Sequence, residues 1–255
     1  MKIAVFDSSE QIAEVAADFY SELLSSNPQA VLGLATGSSP VPLYNELIRR
    51  HRAGQISFAQ AKAFLLDEYI GLAAAHPEAY RNFIDRVFVG HVDFAPGAVQ
   101  GPDGTASDID EAAAEYEQAI EDAGWVDLQL LGIGTDGHIA FNEPGGSLSS
   151  PVHSQSLVEQ TRADNARFFE GDISQVPKMA LTQGLGTISK AKKVLLIAEG
   201  EQKAEAIAQL VEGAVSALWP ATVLQFHGDT TVLVDEGAAS KLRLREHYDS
   251  DWNAR

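Results

Sequence analysis

Three ionisable side chains stand close together where a buried strand is predicted to end. The segment 130–144 reads LLGIGTDGHIAFNEP, so that Asp136, His138 and Glu143 follow an apolar run and two spaced glycines. The run over 126–133 predicts a central parallel strand, and ligands of open α/β sheets bind at the carboxyl ends of such strands. A histidine exchanges protons near neutral pH, and neighbouring carboxylates set its tautomer and basicity. The cluster therefore favours acid–base chemistry; a divalent-metal site and a structural turn network are the alternatives.

A second pair of acids follows another apolar run. Asp67 and Glu68 come directly after FLL, so each is either a proton-transfer group or an acid that forms a turn and caps a helix. Because adjacent acids commonly point in different directions, we expect only one of the two to face a ligand.

The loop TGSSP at 36–40 has the residue types of an anion site. Gly37 lets the backbone approach a ligand closely, and Ser38 and Ser39 offer hydroxyl and amide groups just before a predicted helix. The free N–H groups and the positive end of the helix dipole suit a phosphate. The loop matches neither GxGxxG nor a Walker sequence, and a serine-capped helix start is the alternative.

Two cations are candidate partners for an anion. Arg167 lies in an irregular polar region, and Lys203 lies in the first turn of a predicted helix, where the helix dipole disfavours a cation. A bound anion would explain that position, and a solvated surface lysine is the alternative. The irregular region 145–167 is either a surface excursion or a lid that closes over substrate.

The elements that must position these residues alternate along the chain. Apolar runs predict strands at 2–6, 30–35, 61–66, 126–133, 193–198 and 230–234. Helical patterns lie at 9–25, 41–52, 77–89, 108–122 and 201–212, and a charged tail follows the last strand. This alternation predicts an α/β fold in which a mostly parallel sheet carries helices on both faces. We expect one domain over 1–255.

Composition and charge exclude several classes of protein. The chain has no cysteine, which rules out disulfides, thiol nucleophiles and cysteine-based metal sites. Its 18 basic and 36 acidic residues give a net charge of −18, which argues against nucleic acid and anionic membranes as partners. The acidic N-terminal segment lacks the apolar core of a signal peptide, so we expect a cytoplasmic protein.

In this order the motifs resemble the glucosamine-6-phosphate deaminase family. The resemblance covers nearly the whole chain and is carried by LGLATGSSPVPLY (32–44), FLLDEYIGL (64–72), LLGIGTDGHIAFNEP (130–144), TRADNARFF (161–169), VPKMALTQGLGTI (176–188) and GEQKAEAI (200–207). It implies a modified Rossmann-like fold and a reaction of amino-sugar catabolism that needs no organic cofactor. Glucosamine 6-phosphate and water would give fructose 6-phosphate and ammonia by ring opening, isomerisation and loss of the amine.

The resemblance also implies a role for each candidate residue. Asp67 would move the proton between C2 and C1, and His138, grouped with Asp136 and Glu143, would open the sugar ring. The phosphate would be held by Gly37, Ser38, Ser39, Arg167 and Lys203. Residues 157–182 would form a mobile lid that brings Arg167 to the phosphate.

Some features depart from the family or leave alternatives open. Members activated by N-acetylglucosamine 6-phosphate carry basic residues soon after FNEP, where this chain has His153 and Gln155, so we expect no such activation. A 6-phosphogluconolactonase is the nearest competitor, although it tends to have an arginine where this chain has Tyr69. A galactosamine 6-phosphate deaminase and a sugar-phosphate-sensing regulator are further alternatives. Whether the chain forms a homo-oligomer stays open.

Overall fold

Parallel strands form the central sheet of the computed structural model, which describes residues 1–254. These strands are β1 (Lys2–Phe6), β2 (Val31–Leu34), β3 (Lys62–Leu65), β5 (Val99–Gln100), β6 (Leu128–Leu131), β9 (Lys193–Ala198) and β10 (Thr230–Asp235). Within the described chain they pair in the order β1-β10-β9-β6-β2-β3-β5, and every pairing is parallel. β2 and β6 are buried along their whole length, as expected of central strands covered on both faces.

Helices flank this sheet and alternate with its strands. They are α1 (Ser9–Ser26), α2 (Val41–Arg52), α3 (Tyr80–Val87), α4 (Ile109–Asp122), α5 (Glu159–Asn165), α6 (Leu185–Ile188), α7 (Ala204–Glu212), α8 (Glu236–Ala239) and α9 (Arg245–Asn253). α1 illustrates the pattern, because Ile12, Ala16 and Tyr20 bury one stripe while the Ser8 side chain accepts from the Gln11 N–H at its start. The predicted single-domain α/β class is confirmed.

A small antiparallel sheet lies apart from the central one and was not predicted. It consists of β4 (Asp67–Tyr69), β7 (His153–Ser156) and β8 (Met179–Thr182), with β8 in the middle. Asp67 faces Thr182 in this register. The segment after β3 is therefore a second strand rather than a simple turn, and it ties residue 67 to the chain around 180.

Several element boundaries differ from the predicted ones. The helix expected at 77–89 is limited to Tyr80–Val87, and the one expected at 201–212 begins with a 3-10 turn over Glu201–Lys203. The charged tail forms α9, where Trp252 packs edge-on against Phe6 at 6.3 Å between ring centroids. This aromatic contact stabilises the packing of the polar helix α9 beside β1.

None of the helices in residues 1–254 is both long and apolar enough to cross a membrane.

Candidate active site

A cavity of about 570 Å³ opens at the carboxyl ends of the central strands. Ala35, Leu66, Gly132 and Glu199 line it, and these residues directly follow β2, β3, β6 and β9. The topology thus brings together segments that are far apart in sequence, at the edge of the sheet where α/β proteins bind ligands.

Most of the predicted site residues meet at this cavity. Its lining includes Gly37, Ser38, Ser39, Asp67, His138, Arg167 and Lys203. Asp136 and Glu143 are not part of the described lining, and they lie beside His138 instead. The imidazole of His138 therefore faces the cavity, and the carboxylates of Asp136 and Glu143 lie beside it, outside the described lining.

The His138 ring is oriented by its own loop. Asp136 Oδ1 lies 2.7 Å from His138 Nδ1, and it also accepts from the His138 N–H at 3.2 Å. A Cβ on residue 134 would lie 2.3 Å from the ring, so Gly134 is the residue that permits this close approach. Because Nδ1–H is donated to the carboxylate, Nε2 is the nitrogen left to exchange a proton with a ligand.

The charge of Asp136 matches this arrangement. Burial alone would raise the pKa of Asp136, but the hydrogen bond and positive charge offered by His138 outweigh it and hold the pKa below its usual range. An ionised Asp136 is then present to stabilise an imidazolium at His138.

Glu143 is buried beneath the loop. Its Oε1 accepts from the Val158 N–H at 3.3 Å, whereas Oε2 has no hydrogen-bond partner within the described chain. One ligand atom from each of Asp136, His138 and Glu143 lies within 4.8 Å of the others. This donor set could hold a divalent ion, but the pairing of Asp136 with His138 serves proton transfer equally well.

Asp67 and Glu68 are neighbours in sequence but lie in different environments. Asp67 lines the cavity and is 6% exposed; burial, and then the nearby charge of Glu68, raise its pKa well above the usual range. Glu68 accepts from the N–H groups of Tyr69, Tyr80 and Arg81 at 2.9 to 3.0 Å. It therefore fixes the start of α3, and Asp67 is the acid of the pair that can meet a ligand.

The TGSSP loop lies just before α2 and lines the cavity. Gly37 has a φ of +99°, a conformation that favours glycine. Pro40 is the N-cap residue of α2, and no side chain caps this helix in the described structure, so the serine-cap alternative is wrong. The loop presents Ser38 and Ser39 to the cavity at the positive end of α2.

The two cations approach from different elements. Lys203 ends the 3-10 turn before α7; burial lowers its pKa, Asp164 opposes that shift, and Arg167 adds to it. Arg167 lies in the 3-10 turn Ala166–Phe168, and its guanidinium lies 4.7 Å from the centre of the Phe168 ring. Both cations line the same cavity as the TGSSP loop.

The segment 157–182 covers one side of this cavity and has a small core of its own. Phe169 packs edge-on against Tyr69 at 5.7 Å and stacks on His76 at 5.6 Å. Leu157, Val176 and Ala180 are buried in the same cluster. These contacts hold α5 and the turn with Arg167 beside Asp67 and its neighbours.

Three further lining residues were not predicted. Tyr80 donates to the Tyr69 hydroxyl at 3.2 Å, Asp164 adds a carboxylate whose charge acts on Lys203, and Glu199 adds a carboxylate that accepts from the Ser9 hydroxyl. Glu199 follows β9 directly, a position at the strand end that could have marked it. Tyr80 and Asp164 lie on helices, and no local pattern distinguishes them.

Comparisons with known proteins agree with this arrangement. The model of the family "Glucosamine-6-phosphate isomerases/6-phosphogluconolactonase" matches residues 6–233. A glucosamine-6-phosphate deaminase of Mycolicibacterium smegmatis is 60% identical over 255 residues, which are 100% of this chain and 98% of that protein. The solved structure of a monomeric glucosamine-6-phosphate deaminase is 43% identical, with a TM-score of 0.92 over 94% of this chain and 99% of that one. A 6-phosphogluconolactonase of Trypanosoma cruzi shares the fold at 22% identity, with a TM-score of 0.76 over 95% of this chain and 97% of that one.

Proposed function

The chain belongs to the family of glucosamine-6-phosphate isomerases and 6-phosphogluconolactonases, and from that premise we propose that it is a glucosamine-6-phosphate deaminase of amino-sugar catabolism. Glucosamine 6-phosphate and water are converted into fructose 6-phosphate and ammonia. The observation that carries the proposal is a single cavity whose lining includes Ser38, Ser39, Lys203 and Arg167, which suit an anion, together with Asp67 and His138, whose side chains can transfer protons. We propose the cytoplasm as the compartment, since a charged sugar phosphate does not cross a membrane unaided.

The phosphate is assigned to the TGSSP loop and the two cations. Amide and hydroxyl groups of Ser38 and Ser39 stand at the start of α2, where helix dipole and free N–H groups favour an anion. Lys203 and Arg167 supply positive charge to the described lining, in a molecule whose net charge is −18. The substrate is thereby held with its ring toward Asp67 and His138.

Ring opening is assigned to His138. In the proposed step His138 Nε2 carries a proton between the O1 hydroxyl and the ring oxygen O5, so that the C1–O5 bond breaks and an aldehyde forms at C1. Asp136 supports this role through its 2.7 Å contact with Nδ1, which holds the ring and stabilises the transient imidazolium. Glu143, buried next to them, adds a second carboxylate to that environment.

Isomerisation is assigned to Asp67. Its carboxylate takes the proton from C2 and returns it to C1, while the substrate's own C2 ammonium group gives one proton to O1, so that C1 becomes a CH2OH group and C2 an iminium group. Water then adds to C2 and ammonia leaves, giving the ketone of fructose 6-phosphate. The raised pKa of the buried carboxyl supports this role, because a base whose pKa lies nearer the working pH both accepts and returns a proton.

Residues 157–182, the lid segment, are proposed to close on the phosphate. Arg167 lies in this segment and depends on it for its position, so opening would withdraw one cation from the anion site. Closure would also shield the reacting carbons from water.

One assay separates this function from lactone hydrolysis. The purified enzyme is given glucosamine 6-phosphate, galactosamine 6-phosphate or 6-phosphogluconolactone, and ammonia, fructose 6-phosphate and acid release are measured. We expect ammonia and fructose 6-phosphate in equal amounts from the glucosamine substrate. Hydrolysis of the lactone without any release of ammonia would overturn the proposal.

A further inference from the structure

We propose that Asp164 is an internal anion that competes with the substrate phosphate for Lys203 and Arg167, and thereby limits how tightly the enzyme holds phosphorylated ligands. The inference rests on the proposed function for the nature of the ligand. It assigns an affinity-limiting role to a carboxylate that lines the same cavity as the two cations.

Asp164 shares the cavity lining with both cations. It lies in the last turn of α5, and α5 runs directly into the 3-10 turn that carries Arg167. Residues three apart along a helical run lie on the same side, so Asp164 and Arg167 are presented together. The Gln160 side chain donates to Asp164 Oδ1 at 2.9 Å and restrains the carboxylate.

Asp164 and Lys203 each stand at the unfavourable end of a helix. A carboxylate near the C-terminus of α5 and an ammonium at the N-cap of α7 both oppose the helix dipole. Facing the same cavity, the two opposite charges offset each other's unfavourable position. In agreement, the charge of Asp164 raises the pKa of Lys203 against the effect of burial.

The pairing leaves room for a ligand. Within residues 1–254 no direct ion pair joins Asp164 to Lys203 or Arg167, although all of them line one cavity. A phosphate that enters between them gains the attraction of two cations and meets the repulsion of one carboxylate. Substrate and product carry the same phosphate, so the repulsion weakens both complexes alike; this uniform effect raises KM and favours product release.

The test removes the charge of Asp164 and keeps its shape. Asp164→Asn is compared with the wild type, with Asp164→Glu, and with Glu159→Gln, which removes an acid from the first turn of the same helix outside the described lining. Calorimetry gives the dissociation constants of fructose 6-phosphate and inorganic phosphate, and an ammonia assay gives KM and kcat. Asp164 is exposed, so the expected effect is modest.

We expect Asp164→Asn to lower both dissociation constants and KM by about two- to fivefold. At about 0.5 M salt the dissociation constants of Asp164→Asn and the wild type should differ less, because screening weakens charge repulsion. Asp164→Glu and Glu159→Gln should bind like the wild type. Unchanged or weaker phosphate binding by Asp164→Asn, or equal tightening by Glu159→Gln, would overturn the inference. Tighter phosphate binding in an enzyme that releases no ammonia would instead reject the proposed function and leave this inference standing.

Discussion

At the scale of single residues, the pair Asp67–Glu68 shows how burial decides chemistry. Both acids follow β3 and could have been turn residues, yet only Asp67 lines the cavity. Glu68 is occupied by N–H groups of Tyr80 and Arg81, which stand twelve and thirteen positions further along the chain. No local pattern contains that partner, so residue types and spacing could predict two candidate acids but not which one would meet the ligand; only the family resemblance pointed to Asp67.

The elevated pKa of Asp67 makes a prediction about stability. The folded protein holds a proton on Asp67 to a higher pH than the unfolded chain does, so the wild type loses stability as pH rises from the unfolded pKa through the folded one. Asp67→Asn lacks this loss. We expect its free energy of unfolding to exceed that of the wild type at pH 8.

Denaturant unfolding at several pH values measures this difference. It should decrease as the solution is acidified and vanish below about pH 4, where the unfolded carboxyl also binds a proton. A difference between the two proteins that does not change with pH would contradict the described environment of Asp67.

The contact between Asp136 and His138, unlike the long-range contacts of Glu68, could be predicted from the sequence. The two residues are two positions apart in a glycine-containing loop, and the loop alone brings them to 2.7 Å. Their pairing could therefore be anticipated from spacing. Tyr80 and Asp164 reach the cavity only through the packing of α3 and α5, and the sequence did not indicate them.

At the scale of elements, the central sheet was predictable and the small sheet was not. Short apolar runs predicted six of the seven strands of the central sheet to within a few residues, and the two-residue edge strand β5 was missed. β4 has three residues and pairs with β8 more than a hundred positions away, so it has neither length nor local period. Its role is nevertheless central, because it anchors Asp67 to the base of the lid segment.

Arg162 stabilises the lid segment from within. Its guanidinium donates to the carbonyl oxygens of Ile173 at 2.8 Å and of Val176 at 3.3 Å, which closes the chain between α5 and β8 into one unit. Arg167 lies inside that closed stretch. We therefore propose that Arg162 is a positioning residue for Arg167, which is proposed to bind the phosphate.

Arg162→Gln should loosen this unit. We expect KM for glucosamine 6-phosphate to rise by about threefold or more while kcat changes less, because the loss of bonds from a charged donor displaces Arg167. Amide hydrogen exchange should become faster over 166–176. Arg49→Gln removes an exposed arginine from α2 and is the matched control. Unchanged amide hydrogen exchange over 166–176 would show that the Arg162 hydrogen bonds do not hold the lid segment.

At the scale of the whole molecule, the proposed anion site belongs to a chain with a net charge of −18. Lys203, Arg167 and the start of α2 supply a positive region that is only local. Because the molecule as a whole is negative, long-range electrostatic attraction does not bring a phosphate to the cavity. Under the proposed function, recognition of the phosphate therefore depends on short-range contacts, and we expect Asp164 to weaken it.

The same charge balance bears on regulation. His153 and Gln155 lie on β7, where activated relatives are expected to carry basic residues. A second phosphate would find little positive charge there. We expect a hyperbolic rate curve that N-acetylglucosamine 6-phosphate does not alter, measured as initial rates over a range of substrate concentrations. A sigmoidal curve that becomes hyperbolic with this compound would contradict the expectation.

The most direct test of the central claim is the turnover of Asp67→Asn with glucosamine 6-phosphate at saturation. The measured quantity is ammonia released per enzyme, with the dissociation constant of fructose 6-phosphate determined in parallel. Because Asp67 is proposed to move the proton between C2 and C1, we predict a fall in kcat of about a hundredfold or more with phosphate-ligand binding retained. A variant that binds the ligand and releases ammonia at nearly the wild-type rate would remove Asp67 from the mechanism.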